Sequence, residues 1–219
     1  MCNIVIFGPA GVGKTTLIGY LALASYSDVD FDRYAQKIKR IIIDELGIEF
    51  NKEMILPSCI SMDRDELQSY QEKNNMIGTT KRIHRSRISL PVSNPSLTQN
   101  KCIFIDTPGT HARIAEKYRG IFEGDLGIYI INCSEIIDLI DLEQRNVIYD
   151  QKKLEGLLCK YLEPLRFWHV YKSHSPLIII LSKIDANNVG FKEEIIQKAV
   201  FRVQEMLISA NFGEREIIA

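Results

Sequence analysis

Gly8-Pro-Ala-Gly-Val-Gly-Lys-Thr15 is the stretch that decides the fold of this chain of 219 residues. It follows the apolar run Asn3–Phe7, precedes the predicted helix Lys14–Ser25, and fits the pattern G-x-x-x-x-G-K-[ST]. Glycines at this spacing let successive backbone N–H groups turn towards one anion, and the start of a helix adds its positive end. We therefore predict a phosphate-binding loop between a strand and a helix.

The loop should bind the phosphates of a nucleotide. Lys14 would reach the β- and γ-phosphate oxygens, and the Thr15 hydroxyl would bind Mg²⁺. The predicted contacts are Gly8, Ala10, Gly11, Val12, Gly13, Lys14, Thr15 and Thr16. The loop alone chooses neither the base nor the reaction, because ATPases and kinases have it too.

A second motif, Asp106-Thr-Pro-Gly109, ends another apolar run. Asp106 at the carboxyl end of a strand is placed to hold a water bound to Mg²⁺. Gly109 would offer its backbone N–H to the γ-phosphate and pivot when that phosphate leaves. This sequence also suits an ordinary turn, but behind a phosphate-binding loop the functional interpretation is favoured.

A third motif, Leu181-Ser182-Lys183-Ile184-Asp185, follows the last predicted strand. The Asp185 carboxylate would accept hydrogen bonds from N1–H and the exocyclic amino group of guanine. Adenine lacks these donors and would leave the carboxylate unpaired. Lys183 would lie along the base with its aliphatic stem. Where such a motif selects guanine, its first polar residue is usually asparagine or threonine. Here that residue is Ser182, whose hydroxyl can make the threonine-type bond.

The remaining pattern predicts an α/β fold. Four apolar runs suit a parallel sheet covered by helices: Asn3–Phe7, Lys101–Ile105, Gly127–Asn132 and Leu177–Leu181. In Arg82–Val92 polar and apolar residues alternate, although imperfectly, and this segment is predicted to be an antiparallel edge strand. Helices are predicted over Lys14–Ser25, Asp30–Leu46 and Phe191–Ile208. We expect a P-loop NTPase fold, a mostly parallel sheet with one antiparallel edge strand and helices on both faces.

The composition excludes a strong electrostatic field from a net charge of the whole chain. The 27 basic and 28 acidic residues give a formal net charge of −1, so no overall charge favours nucleic acid or an anionic membrane. The basic run Lys81–Arg87 would either touch RNA or protect an exposed edge strand. The five cysteines form no CxxC pair, which indicates buried thiols in a reducing cytosol. No apolar run approaches the roughly 20 residues of a membrane span, so we expect a cytoplasmic protein.

Three further stretches carry a family resemblance. Thr15–Leu21 is similar to a first helix with glycine before a leucine, and Asp30–Gly47 falls where one class has an extra helix. The run Ile105–Gly109 followed by Tyr118–Ile130 is similar to a second switch leading into the next strand. With the nucleotide motifs, these stretches resemble the translational GTPases, the class of elongation factor Tu and elongation factor 1-alpha, which also includes the GTPase subunit of sulfate adenylyltransferase.

The resemblance implies binding of GTP and GDP with Mg²⁺, and hydrolysis that works as a conformational switch. The family's first switch has a threonine that completes the Mg²⁺ shell. Within Met76-Ile-Gly-Thr79-Thr80 the best match is Thr80, with Thr79 as a rival. The implied metal-binding residues are therefore Thr15, Thr80 and Asp106.

The chain departs from the family where the attacking water is positioned. A histidine usually follows Asp-Thr-Pro-Gly directly, whereas Thr110 stands there and His111 comes one residue later. A shift of one residue points a side chain elsewhere. Thr110 and His111 are the catalytic candidates, and we expect turnover far below about 1 per second in the absence of a partner.

The resemblance also predicts the domain organisation. Residues 1–219 would form a GTP-binding domain in which Glu216–Ala219 begins a strand. Ser209–Asn211 is either the family's last base-contacting motif or, as helical spacing favours, the end of the preceding helix. We therefore expect a fragment that lacks this motif and any following β-barrel domains.

Three functions stay open. The first is a translation-factor-like GTPase acting with the ribosome, a tRNA, or an activating or exchange protein, with the metabolic GTPase subunit as a variant. The second is a module that holds GTP with little hydrolysis. The third is an ATP-driven enzyme, which the interpretation of Asp185 disfavours. The sequence indicates neither a DNA partner nor a membrane partner.

Overall fold

The computed structural model describes residues 2–25, 83–90, 100–145, 148–209, 211–212 and 217–218. Its sheet has six strands in the order β2-β3-β1-β4-β5-β6. The strands are β1 (Cys2–Phe7), β2 (His84–Leu90), β3 (Asn100–Asp106), β4 (Leu126–Asn132), β5 (Leu177–Ser182) and β6 (Ile217–Ile218). All neighbouring pairs are parallel except β2 and β3, which pair antiparallel at one edge.

Five described α-helices flank the sheet. They are α1 (Lys14–Ser25), α2 (Ile114–Glu123), α3 (Cys133–Arg145), α4 (Ile148–Lys172) and α5 (Glu193–Ser209). A 3₁₀ turn, His111–Arg113, leads into α2. The Asn132 side chain accepts a hydrogen bond from the Ser134 backbone N–H at 3.1 Å. It thereby caps α3, which starts without a loop after β4.

Alternate residues of the strands point to opposite faces of the sheet and pack into two hydrophobic cores, one on each face. On β1, Val5 and Phe7 pack with helices α2 to α5, whereas Ile4 and Ile6 pack with α1. Strand residues apolar on both faces are what a parallel sheet between helix layers requires. The prediction of an α/β fold with helices on both faces is confirmed.

Most element predictions agree with the structure. The four parallel strands and Lys14–Ser25 are confirmed within a residue at each end, and Ile217–Ile218 is the predicted strand start, paired parallel to β5. The last long helix begins at Glu193 rather than Phe191, because Phe191 has a φ of 57°. It ends at Ser209, which confirms that residue as a helix end. The predicted helix Asp30–Leu46 lies outside the described residues.

The thiols only partly match the expectation. Cys102 and Cys133 are buried, but Cys2 is partly exposed and Cys159 is exposed on α4. The prediction of uniformly buried cysteines is therefore wrong for these two, and Cys59 lies outside the described residues.

Among the helices that the structure describes, none combines the length and apolar content needed to cross a membrane.

Candidate nucleotide-binding site

The loop between β1 and α1 has a backbone that glycine makes possible. Gly8, Gly11 and Gly13 have φ values of 145°, 75° and 93°, all in the region that side chains disfavour. At Gly8 a Cβ would also lie 2.5 Å from the carbonyl oxygen of Ile130 on β4. The three glycines thus serve the loop conformation itself, as the motif requires.

The Lys14 side chain lies back over this loop. Its Nζ donates to the carbonyl oxygens of Gly8 at 3.1 Å and Pro9 at 2.7 Å. The side chain is only 5% exposed. These two bonds hold a buried ammonium over the loop between β1 and α1, where it is placed to pair with an anion.

Burial lowers the pKa of Lys14 to about 8, although the carboxylate of Asp106 acts in the opposite direction. The positive charges of Lys117 and Lys160 lower this pKa further. Because a pKa of about 8 lies above neutral pH, the amine is protonated there. Lys117 and Lys160 therefore lie close enough to Lys14 for their charges to act on it.

The Asp106–Gly109 motif lies directly against the loop. The Thr15 hydroxyl donates to Asp106 Oδ2 at 2.6 Å. At Gly109 a Cβ would lie 2.5 Å from the Ala10 nitrogen and 2.6 Å from Lys14 Nζ. Gly109 is thus in contact with both the loop backbone and its lysine, and a larger residue would separate the two motifs. The predicted residues of both motifs meet at one place.

The Thr15 and Asp106 side chains suit a magnesium ion. Mg²⁺ prefers oxygen ligands and is bound in nucleotide sites by one or two protein groups together with phosphates. A hydroxyl and a buried carboxylate 2.6 Å apart supply such oxygens beside the loop. The third predicted ligand, Thr80, and its rival Thr79 lie outside the described residues.

The base motif is joined to the loop by Ser182. Its hydroxyl donates to the carbonyl oxygen of Val12 at 2.8 Å and also lies 3.2 Å from that of Ile131, which can share the same proton. Lys183 follows with a φ of 58°, which turns the chain at the end of β5. Lys183 and Asp185 are exposed at the same edge of the sheet. The Ser182 hydroxyl therefore connects the end of β5 to the backbone of the loop between β1 and α1.

The loop after Asp185 is fastened to α3. Asn188 Nδ2 donates to the backbone carbonyl of Ser134 and to Asp138 Oδ1, each at 3.1 Å. These bonds hold the segment that presents Asp185.

The two catalytic candidates differ in position. Thr110 follows Gly109 directly and is partly buried, whereas His111 is exposed and begins the 3₁₀ turn. The backbone carbonyl of Thr110 accepts from the Arg113 N–H at 3.1 Å, which closes this turn. Their roles at the attacking water stay predictions.

A polar network beside the site was missed by sequence reasoning. Glu135 on α3 accepts through Oε2 from Lys160 Nζ and the Tyr161 hydroxyl, each at 2.6 Å, and through Oε1 from Asn132 at 3.2 Å. Burial raises the pKa of Glu135, but these donors outweigh it and the pKa is lowered overall. Lys160 lies 25 residues from Glu135, a separation that no local pattern reveals.

Replacing Glu135 by glutamine should lower the free energy of unfolding by about 1–2 kcal/mol, because Lys160 loses its counter-charge in a site only partly screened by solvent. A lowered pKa stabilises the fold above the ordinary value of 4.5, and this contribution is lost as the pH falls through the lowered value. Urea unfolding of both proteins at several pH values measures the difference. Glu155→Gln, at an exposed site on α4, is the control and should change stability by less than about 0.5 kcal/mol. A difference that persisted in strong acid would contradict the assignment.

Lys117 is a second group that sequence reasoning missed. It lies on α2 with 4% of its surface exposed, on the same helix face as buried Gly120 and Ile121. The spacing 117, 120, 121 is helical, so a prediction of α2 would have placed a lysine on its buried face.

No protein-family model and no curated protein sequence matches the chain. Solved structures are similar to it in fold. A bacterial selenocysteine-specific elongation factor EF-Sec has a TM-score of 0.53 and 18% identity over 99% of this chain and 25% of its own. The elongation factor SelB from Methanococcus maripaludis, in complex with the GTP analogue GppNHp, has a TM-score of 0.50 and 15% identity over 99% of this chain and 29% of its own. The chain thus spans about a quarter of the length of these relatives. The similarity is one of fold, and together with the loop and the sheet order it shows that this chain has an α/β fold of the P-loop NTPase type.

Proposed function

We propose that the chain binds GTP with Mg²⁺ and hydrolyses it slowly to GDP and phosphate, as a conformational switch of the translation-factor type. One observation carries the proposal: three motifs far apart in sequence meet at the loop. Gly109 contacts Ala10 and Lys14, the Thr15 hydroxyl bonds to Asp106, and Ser182 bonds to Val12. A structural turn needs none of these mutual contacts.

The residues divide the work of binding. Backbone N–H groups of the loop, the start of α1 and the Lys14 ammonium bind the β- and γ-phosphates. Thr15 and Asp106 would hold Mg²⁺, which neutralises charge on the phosphates when bound. Asp185 selects guanine by accepting two of its hydrogen bonds, and Lys183 lies along the base.

Gly109 links nucleotide state to conformation. Its N–H would bond to the γ-phosphate, and it precedes the 3₁₀ turn and α2. Loss of that phosphate would release Gly109 and change how α2 packs, as in switches ordered by a γ-phosphate. The contacts of Gly109 with Ala10 and Lys14 support this coupling.

A second function is favoured by the position of His111. Because this side chain is exposed at the start of the turn, the chain lacks an evident group to orient water among the residues that the structure describes near Gly109. It would then hold GTP and present a surface to a partner while hydrolysing very little. Action with the ribosome or a tRNA stays a prediction of the family resemblance.

Nucleotide binding and turnover of the purified chain test both proposals. We expect GTP to bind at least about a hundredfold more tightly than ATP, because ATP leaves Asp185 unpaired, and Mg²⁺ to strengthen GTP binding. Single-turnover phosphate release should be well below about 1 per second. Equal affinity for ATP would instead support the ATP-driven enzyme. An unchanged rate in His111→Ala would remove that residue from the mechanism, and no release at all would favour the holding module.

A further inference from the structure

Lys117 is a largely buried lysine on α2, and none of the described residues accepts a hydrogen bond from its amine. Its side chain is 4% exposed, and among the described residues neither a hydrogen-bond acceptor nor a carboxylate pairs with its Nζ. Its Nζ lies 5.6 Å from the centroid of the Tyr118 ring, and the charge of Glu163 on α4 also acts on it favourably. Lys14, which is also buried, has two carbonyl acceptors. Keeping a charged amine in a largely buried position beside another cation costs free energy, and an anion bound next to Lys117 would offset that cost.

The packing of α2 locates Lys117 at the phosphate side of the sheet. At Gly124 a Cβ would lie 2.4 Å from Val5 in the middle of β1. At Gly120, one turn earlier, it would lie 2.6 Å from Thr107, just past the carboxyl end of β3. Lys117 is one further turn earlier on the same face. The helix therefore carries it towards the loop, where its charge acts on Lys14.

Glu163 is held in place beside Lys117. Its Oε1 accepts from the Tyr118 hydroxyl at 2.5 Å, and Tyr118 itself stacks on Phe167 of α4 with ring centroids 4.1 Å apart. The carboxylate attracts Lys117 from beyond ion-pair distance. Lys117 thus lies between a negative group on α4 and the positive phosphate-binding loop.

We propose that Lys117 is a second phosphate-binding lysine, which donates to the terminal phosphate of bound GTP from the α2 side and is attracted only by the more distant Glu163 when that phosphate is absent. The inference rests on the proposed binding of GTP. A phosphate between Lys117 and Lys14 would replace the repulsion of two buried cations by attraction to a shared anion. It would also place a positive charge beside the phosphoryl group that is transferred, where such charge stabilises the transition state.

The test compares Lys117→Met with the wild type, using the affinities for GTPγS and GDP and the single-turnover rate with GTP. We expect affinity for GDP to stay within about twofold, while affinity for GTPγS and the rate each fall about tenfold, the effect of one charge-assisted hydrogen bond. Lys160→Met is the matched control. Lys160 also acts on Lys14 through its charge, but its amine is already bonded to Glu135. It should leave the ratio of the two affinities unchanged.

A second variant does not depend on how well methionine is accommodated. Glu163→Gln removes the competing carboxylate and should raise the preference for GTPγS over GDP about threefold. The proposal is overturned if Glu163→Gln leaves the preference for GTPγS over GDP unchanged or lowers it. It is also overturned if Lys117→Met keeps the wild-type preference, or if its preference falls no further than that of Lys160→Met. In those cases the wild type still binds GTP, so the proposed function stands. A wild type that binds no GTP overturns both.

Discussion

Replacing Lys14 by methionine should abolish nucleotide binding at ordinary concentrations. The ammonium is expected to make charge-assisted hydrogen bonds to two phosphate groups, each contributing about 1.5–3 kcal/mol. Losing both weakens binding of GTP and GDP by at least about a hundredfold, since 1.4 kcal/mol is a factor of ten. Titration with a fluorescent GDP analogue measures the loss.

The fold itself should tolerate this change. Methionine keeps the apolar stem, and it removes a charge whose burial is unfavourable, as the pKa lowered to about 8 indicates. Against this gain stand the hydrogen bonds to the Gly8 and Pro9 carbonyls, so we expect thermal unfolding without nucleotide to change little. Lys198→Met, on the exposed side of α5, should retain full affinity. Nucleotide binding by Lys14→Met within about threefold of the wild type would remove the loop from the site.

The nucleotide motifs were predictable because their chemistry is local. In Gly8–Thr15 the glycine spacing, the lysine and the flanking strand and helix lie within one short stretch, and the structure shows the required positive φ values. What local pattern could not give is the set of contacts between motifs. The bond from Ser182 to Val12 joins residues 170 positions apart, and only the sheet order brings them together.

Helices α2, α3 and α4 are absent from the sequence-based predictions, and for α4 the physical reason is a proline. In α4, Pro164 lies inside a helix of 25 residues, although proline removes a helical hydrogen bond and disfavours helical geometry in the residue before it. Tyr161, Leu165 and Trp168 are nevertheless buried in one core. Their helical spacing, burying large aromatic and apolar surface, outweighs the local penalty of the proline.

The threonine of the first switch is a residue that spacing alone could not predict. Thr79 and Thr80 were chosen by resemblance rather than spacing, and they lie outside the described residues. Lys117 is the opposite case, because the structure gives it a position that the sequence motifs do not. The nucleotide motifs can be recognised from residue types and spacing, whereas the buried position of Lys117 becomes evident only when helix α2 is packed on the sheet.

Replacing Asp185 by asparagine should exchange the base that the chain prefers. The carboxylate accepts from two guanine donors, and asparagine offers one acceptor and one donor. Guanine then faces an amide N–H with its own amino group, so affinity for GTP should fall by at least about a hundredfold. Xanthine has a carbonyl in place of that amino group and keeps N1–H, so it matches asparagine at both positions.

Competition of GTP, XTP and ATP for a fluorescent nucleotide measures this exchange in Asp185→Asn. XTP should bind more tightly than GTP to the variant and more weakly than GTP to the wild type, while ATP binds weakly to both. Asp141→Asn, at an exposed site on α3, should leave the order unchanged. Loss of all three nucleotides together would mean that Asp185 holds the loop that Asn188 fastens to α3, not the base. Because Asp185 is exposed at the edge of the sheet, its substitution should cost little stability, and a change of base preference is the result that its position favours.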